Sequence, residues 1–377
     1  GNLVVRCDSS TVLNPGDRAV VRGKIYPFTA RHGGYGRLMT RRGYVGTLYL
    51  NRSSLLLRDT LHRELSPKHL SLFLHERAVA RLDRLALAPD EQALCNAMTA
   101  GDRRSLSPAL RAAYSRSGTS HLLAVSGLHV GIVFLLANLL LWWLPLFRHG
   151  HILRNIAVIL LIWLYAATTG FPPSVVRAAL MFSVLQFALA SSSEYVGMNT
   201  LAGVAFVMLL FHPDYLFDIS FQLSFIAVAG IIAWGLPLCR LLRTRRKSID
   251  MLTATLAIGF SASAATAPLI SHTFGQISVV GLALNPVVIL LSYVVVGSCT
   301  LWLVIPGTVL APLFSDVAGF AARAQNELIR AAAALPAAAL DIRLTTTQCW
   351  IVYGLFIFAT LLLWSAERKK SVSSLPE

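Results

Sequence analysis

The chain has 377 residues, 55% of them hydrophobic and 14% charged, with 33 Lys and Arg against 18 Asp and Glu for a formal charge of +15. A mean hydropathy of +0.62 lies outside the range of soluble globular domains and excludes a wholly water-soluble enzyme or binding module. Residues 1–119 hold 19 of the 33 basic and 9 of the 18 acidic residues, about +10 of the charge, so a water-soluble region precedes an apolar one.

In residues 1–65, the runs V-V-R-C-D, R-A-V-V-R-G-K-I-Y-P-F and G-R-L-M-T-R-R-G-Y-V-G-T-L-Y-L alternate side chains and are separated by N-P-G-D and H-G-G-Y-G turns. This pattern predicts short antiparallel strands closing into a small barrel. Arg31, Arg37, Arg41 and Arg42 lie beside Tyr35, Tyr44 and Tyr49. Such a mixture suits a groove that holds a single nucleic-acid strand by charge and stacking, and equally suits a plain solvated β surface.

Residues 66–119 change to helical period. Leu70, Phe73, Leu74, Ala78, Leu82 and Leu85 form an apolar stripe beside Arg77 and Arg81, which fits a helix packed between barrel and membrane region or one lying on anionic lipid. Arg103, Arg104, Arg111 and Arg116 then make an electropositive approach to the apolar region, suited to phosphates. The five cysteines, Cys7, Cys95, Cys239, Cys299 and Cys349, show no C-x-x-C pair, and Cys7 and Cys95 read as unrelated thiols. The ten histidines have no metal-ligand spacing, so no metal site is expected.

Residues 120–366 divide into nine apolar segments, at about 120–144, 152–171, 174–192, 195–212, 216–239, 251–272, 277–305, 307–323 and 346–366. The eighth has the weakest apolar character. Basic residues crowd the loops at Arg148 and Arg154, at Arg240 to Lys247 and after Arg368; nine crossings place all three on one side, the cytoplasm by the positive-inside rule. The N-terminal region is then outside, and the tail 367–377 inside.

Several segments carry polar groups, each of which costs about 2.5–3.5 kcal/mol in hydrocarbon when charged unless it meets protein or a wet path. The first holds His121, Ser126 and His129, with Gly127 and Gly131 spaced for close helix approach. Arg177 begins the third, and Asp218 and Gln222 lie one turn apart on the fifth. His272 ends the sixth, while Asn285-Pro286 is expected to interrupt the seventh. These residues read as lining a hydrated pathway or as interhelical glue. Ser126 and His129, three apart, also admit a serine hydrolase, although only Asp218 is available as an orienting acid.

The segment H-L-L-A-V-S-G-L-H-V-G closely resembles the signature of the ComEC-type competence proteins. The blocks P-P-S-V-V-R-A-A-L-M, H-P-D-Y-L-F-D-I-S-F-Q-L-S-F and A-P-L-I-S-H-T-F-G-Q-I-S with the following L-N-P step match in order. The resemblance implies an all-α polytopic membrane protein of about nine transmembrane helices with an N-terminal exported small β domain, OB-like. It implies a channel of the bacterial inner membrane that conducts single-stranded DNA into the cytoplasm during natural transformation, without catalysis or cofactor. Residues 90–114, within a linker and lip region of 66–119, would form its lip, and His121, Ser126, His129, Arg177, Asp218, Gln222, His272 and Asn285 its pathway. Membrane lipid, an outer DNA receptor and a cytoplasmic helicase-like motor are the implied partners, with a homo-oligomer left open. Full-length relatives have leading spans and often a metallo-β-lactamase-like domain, so the chain reads as a fragment. A permease for a small anionic solute and an envelope scaffold stand as alternatives.

Overall fold

A computed structural model describes residues 2–8, 17–28, 36, 39–40, 43–59, 67–191, 197–278, 280–305, 309–335 and 339–373. The molecule is mostly helical, with a small β region at its N-terminus. Strands β1 (Asn2–Cys7), β3 (Ile25–Pro27) and β4 (Tyr44–Leu50) form one sheet in the order β1-β4-β3, while β2 (Arg18–Val21) pairs with β5 (Leu55–Asp59). Alternation along β4 buries Gly46, Leu48 and Leu50 and exposes Val45 and Tyr49, the period-2 signature of a one-sided strand. A side-chain carbon at Gly46 would meet the Tyr26 carbonyl at 2.5 Å, so glycine permits the β3–β4 approach.

One expectation changes here. β1 runs parallel to β4, with Leu3 opposite Gly46 and Cys7 opposite Leu50, so the region is mixed and not wholly antiparallel. Local alternation is the same in both arrangements, and only the long-range pairing distinguishes them.

Three helices follow, α1 (Pro67–Leu82), α2 (Pro89–Thr99) and α3 (Pro108–Arg116). Among the described residues nine more helices correspond one for one to the nine apolar segments: α4 (Gly127–Leu140), α5 (Gly150–Thr168), α6 (Pro173–Ser191), α7 (Gly197–Phe211), α8 (Ile219–Leu241), α9 (Lys247–Phe274), α10 (Val280–Val304), α11 (Ala311–Ala333) and α12 (Thr346–Ser373). Five stretches are long and apolar enough to cross a membrane: Gly127–Leu146, Gly150–Thr168, Ile219–Leu241, Ile249–Phe274 and Ala283–Val304. Exposed Leu160, Phe187, Leu189, Phe206 and Leu210 on α5, α6 and α7 would be untenable against water and suit lipid.

α11 is different in kind. It buries Ala318, Ala321, Ala322, Gln325, Asn326 and Ile329 and exposes Asp316, Arg323, Glu327 and Arg330. Its small-residue face packs on α2, α3 and α10, and Gly319 lies close against Leu87. A two-stranded bridge, Ile277 opposite Leu340, joins the chain entering α10 to the chain leaving α11.

The helix interruptions also fall elsewhere than expected. α9 continues through Pro268, and α10 continues through Asn285-Pro286; Pro286 is the seventh residue of α10, where its missing N–H forfeits a single ladder bond. The irregularities lie in α8, which takes a π turn at Ile231–Gly235 before Pro237, and in the signature itself. At that π turn α8 closes on α9, for a side-chain carbon at Gly230 would stand 2.5 Å from Ala265 Cβ.

Candidate functional site

The signature segment is a helix start and not the middle of a span. A 3-10 turn, Ser120–Leu123, carries His121 with its side chain exposed; Ala124 and Ser126 are extended, and α4 opens at Gly127. Ser126 and His129 form a capping box in which the Ser126 N–H donates to His129 Nδ1 at 2.9 Å. With Nδ1 accepting, a neutral His129 carries its proton on Nε2, and that atom is buried without a partner on a fully buried residue. The Ser126 hydroxyl stands 3.4 Å from the same Nδ1.

Gly127 and Gly131 face α6, as their spacing predicts: added side-chain carbons would lie 3.0 Å from Arg177 Nη2 and 3.3 Å from Phe182. Ser174 at the start of α6 donates to the Val125 carbonyl at 3.0 Å and pins the extended segment. Arg177, 5% exposed, donates through Nη1 to the Ser224 carbonyl of α8 at 2.8 Å and lies over the Phe225 ring, while Nε has no partner. Arg177 thus stands at a junction of α4, α6 and α8, while the hydrogen bonding of His129 is to Ser126 at its own helix end.

The remaining predicted pathway residues do not converge there. Asp218 caps α8, accepting from the Ser220 and Phe221 N–H groups at 2.8 and 3.3 Å, and Gln222 donates to the Leu216 carbonyl at 2.8 Å. Both hold local turns. His272 Nδ1 contacts the Leu344 carbonyl at 3.0 Å and, with Ser271, fastens the segment before α12. Asn285 keeps Oδ1 buried and unpartnered.

At the approach, α1 is a packing helix, its Ser71 hydroxyl donating to the Ala167 carbonyl at 2.7 Å and His75 contacting the Thr168 carbonyl at 3.0 Å. Between α1 and the chain leading to α3 opens a cleft of about 540 Å³ lined by Arg103, Arg104 and Arg111 with His75, Glu76 and Asp102. Arg104 grips Asp102 through Nε and Nη2, both at 2.9 Å, and this hydrogen-bonded ion pair holds the Asp102 carboxyl below its ordinary range. Arg103 and Arg111 lie within each other's field, and partial burial followed by that repulsion lowers the Arg103 guanidinium. Arg116 ends α3, exposed. Arg31, Tyr35, Arg37, Arg41 and Arg42 lie outside the described residues; Tyr44 is half-buried in β4.

Sequence reasoning missed a buried polar network between α2, α3 and α11. Tyr114 Oη donates to Asn326 Oδ1 at 3.1 Å, Gln325 Nε2 donates to Tyr114 Oη at 3.2 Å, and Asn326 Nδ2 donates to the Asp90 carbonyl at 3.1 Å. Arg323 pairs with Glu91 at 2.6 Å, and Arg330 with Asp90. Burial raises the Tyr114 phenol above its ordinary range, keeping it a donor. The available signal was A-Q-N-E-L-I-R, whose polar side chains recur at helical spacing within an alanine-rich run. Cys95 hydrogen-bonds Cys299, and this contact with burial pushes its thiol up; Cys7 stays apart, free and exposed.

A model of the Competence protein family matches residues 98–369. Over 204 residues the chain is 32% identical to ComE operon protein 3 of Bacillus subtilis (strain 168), covering 53% of this chain and 24% of that protein. Over 201 residues it is 29% identical to an uncharacterised protein of Aquifex aeolicus (strain VF5), covering 53% of this chain and 45% of that one. The chain spans less than half the length of these curated relatives. No solved structure matches it.

Proposed function

This chain belongs to the competence protein family, and from that premise we propose that it conducts one DNA strand across a bacterial inner membrane into the cytoplasm during natural transformation. In this reading the nine helices α4 to α12 all cross, the β region is an exported OB-like domain, and the tail is cytoplasmic. No bond is made or broken and no cofactor is needed; a cytoplasmic helicase-like motor supplies the pull and an outer receptor delivers the strand.

The observation that carries the reading is the cleft at the approach. Three arginines line one opening, and of these only Arg104 has its charge met by a carboxylate among the described residues. Arg103 and Arg111 repel one another where they stand, an arrangement relieved when a polyanion arrives. Arginine suits the task because its planar fork matches a phosphate and keeps its charge when partly desolvated.

The test is uptake of labelled DNA by cells carrying Arg103→Ala with Arg111→Ala, at membrane levels equal to the parent. Uptake and transformation are expected to fall at least tenfold. Unchanged uptake at equal abundance refutes the assignment.

A further inference from the structure

We propose that the junction of α4, α6 and α8 is a binding site for a tetrahedral phosphoryl oxyanion, built from the Arg177 guanidinium and the N-terminus of α4. Four observations bring the site together. α4 is a 14-residue helix whose Gly127 and Leu128 N–H groups have no acceptor within the helix, that of His129 being taken by the Ser126 side chain in the capping box, and whose dipole leaves positive potential at Gly127. The Arg177 guanidinium lies against that end, its Nη2 3.0 Å from where a side-chain carbon of Gly127 would stand. Arg177 is 5% exposed, and its Nε is buried with no partner. Among the described residues, the ion pairs formed all involve other arginines, so no carboxylate answers this charge.

Two positive features thus face each other in an apolar setting. Without an anion that arrangement is costly, because a buried charge needs both a counter-charge and hydrogen bonds. The geometry also selects the anion. Nη1 is occupied by the Ser224 carbonyl, which leaves the Nε and Nη2 edge, the side of guanidinium that binds two oxygens at once. A planar carboxylate would spend both oxygens on that fork. A tetrahedral phosphoryl group keeps oxygens to spare for the N–H groups opening α4. The absent side chain at Gly127 is what lets the guanidinium approach that helix end so closely.

This site is independent of whether the protein moves DNA, since free phosphate and the phosphodiester of a strand share the same chemistry. The test uses the purified full chain in detergent and titration calorimetry at constant ionic strength set with sodium chloride. Inorganic phosphate forms one arm, and thymidylyl-thymidine, with its single phosphodiester, the other. Saturable binding of either is expected in the parent, weakened at least tenfold in Arg177→Gln and in Gly127→Ala, with Arg177→Lys intermediate. Tighter binding of the dinucleotide identifies a strand phosphate, and tighter binding of inorganic phosphate identifies a resident ion; both support the site. Gly127→Ala keeps the charge but crowds Nη2, since its added carbon would stand 3.0 Å away, so it decides the matter if Arg177→Gln does not fold. No saturable binding in the parent, or equal affinity in parent and Gly127→Ala, overturns the proposal.

Discussion

The fork between Arg104 and Asp102 shows how far a single ion pair reaches at a wet surface. Asp102 is 6% exposed but Arg104 is 74% exposed, so screening limits the pair to about 1 kcal/mol or less. The folded carboxyl titrates below its ordinary value of about 3.9. The stabilisation is therefore present at pH above that value and lost as the pH falls through the lower, folded one. Asp102→Asn is expected to lower thermal stability by at most about 1 kcal/mol at pH 7, with a difference from the parent that closes as pH falls below about 4. A deficit that persisted unchanged at pH 3 would assign the residue a different role. Legibility at this scale was uneven. The Gly127–Gly131 face could be read because helical period is local, whereas the Ser126–His129 contact, anticipated from its spacing as a pathway or hydrolase pair, is a capping box at a helix start. The duties of Asp218, Gln222 and His272 could not be read, since each depends on which backbone carbonyl or N–H happens to stand within reach.

At the level of elements, α11 is where composition and fold pull apart. Its charged flank marks it as the weakest apolar segment, yet it runs alongside α10 and is held from α2 and α3 by Tyr114, Gln325 and Asn326. Replacing Tyr114 with Phe leaves the Asn326 carbonyl oxygen and the Gln325 amide without their partner in a buried setting. A loss of about 1–3 kcal/mol is expected, read as a lowered melting temperature of the full chain; an unchanged melt would show the network to be water-filled and slack. The helices themselves were legible, because nine apolar runs bounded by Gly, Pro and basic loops announce themselves. The parallel pairing of β1 with β4 was not, since their alternation carries no record of strand direction across some forty residues.

Across the whole molecule the proposed nine crossings make a geometric demand. Arg116 and Thr244 are separated in chain order by five of those helices, α4 to α8, one lying before α4 and the other in the basic loop between α8 and α9. Single cysteines placed at each, in a chain otherwise free of cysteine, should differ in labelling by a membrane-impermeant maleimide in intact cells. The Arg116→Cys variant reacts from outside and the Thr244→Cys variant only after permeabilisation. Equal labelling of both from one side would remove the topology. The proposed orientation rests on charge patterning, whereas the place where the bundle is irregular was not legible: proline drew attention to α10, while the actual departures arose at the start of α4 and in the π turn of α8.

One contact ties these scales together. The turn at Ser117 and Gly118 presses on Ser278 and Gly281 at the head of α10, where the short bridge from Ile277–Ser278 to Ala339–Leu340 also lies. Ends clamped at one level act as a hinge, and α10, with 25 residues, is a lever of about 38 Å at 1.5 Å per residue. A tilt of about 5° at the clamp swings its far end by about 3 Å on that same length. Any widening of the bundle is therefore smallest beside the signature and grows toward the opposite mouth, like a fan held at its rivet.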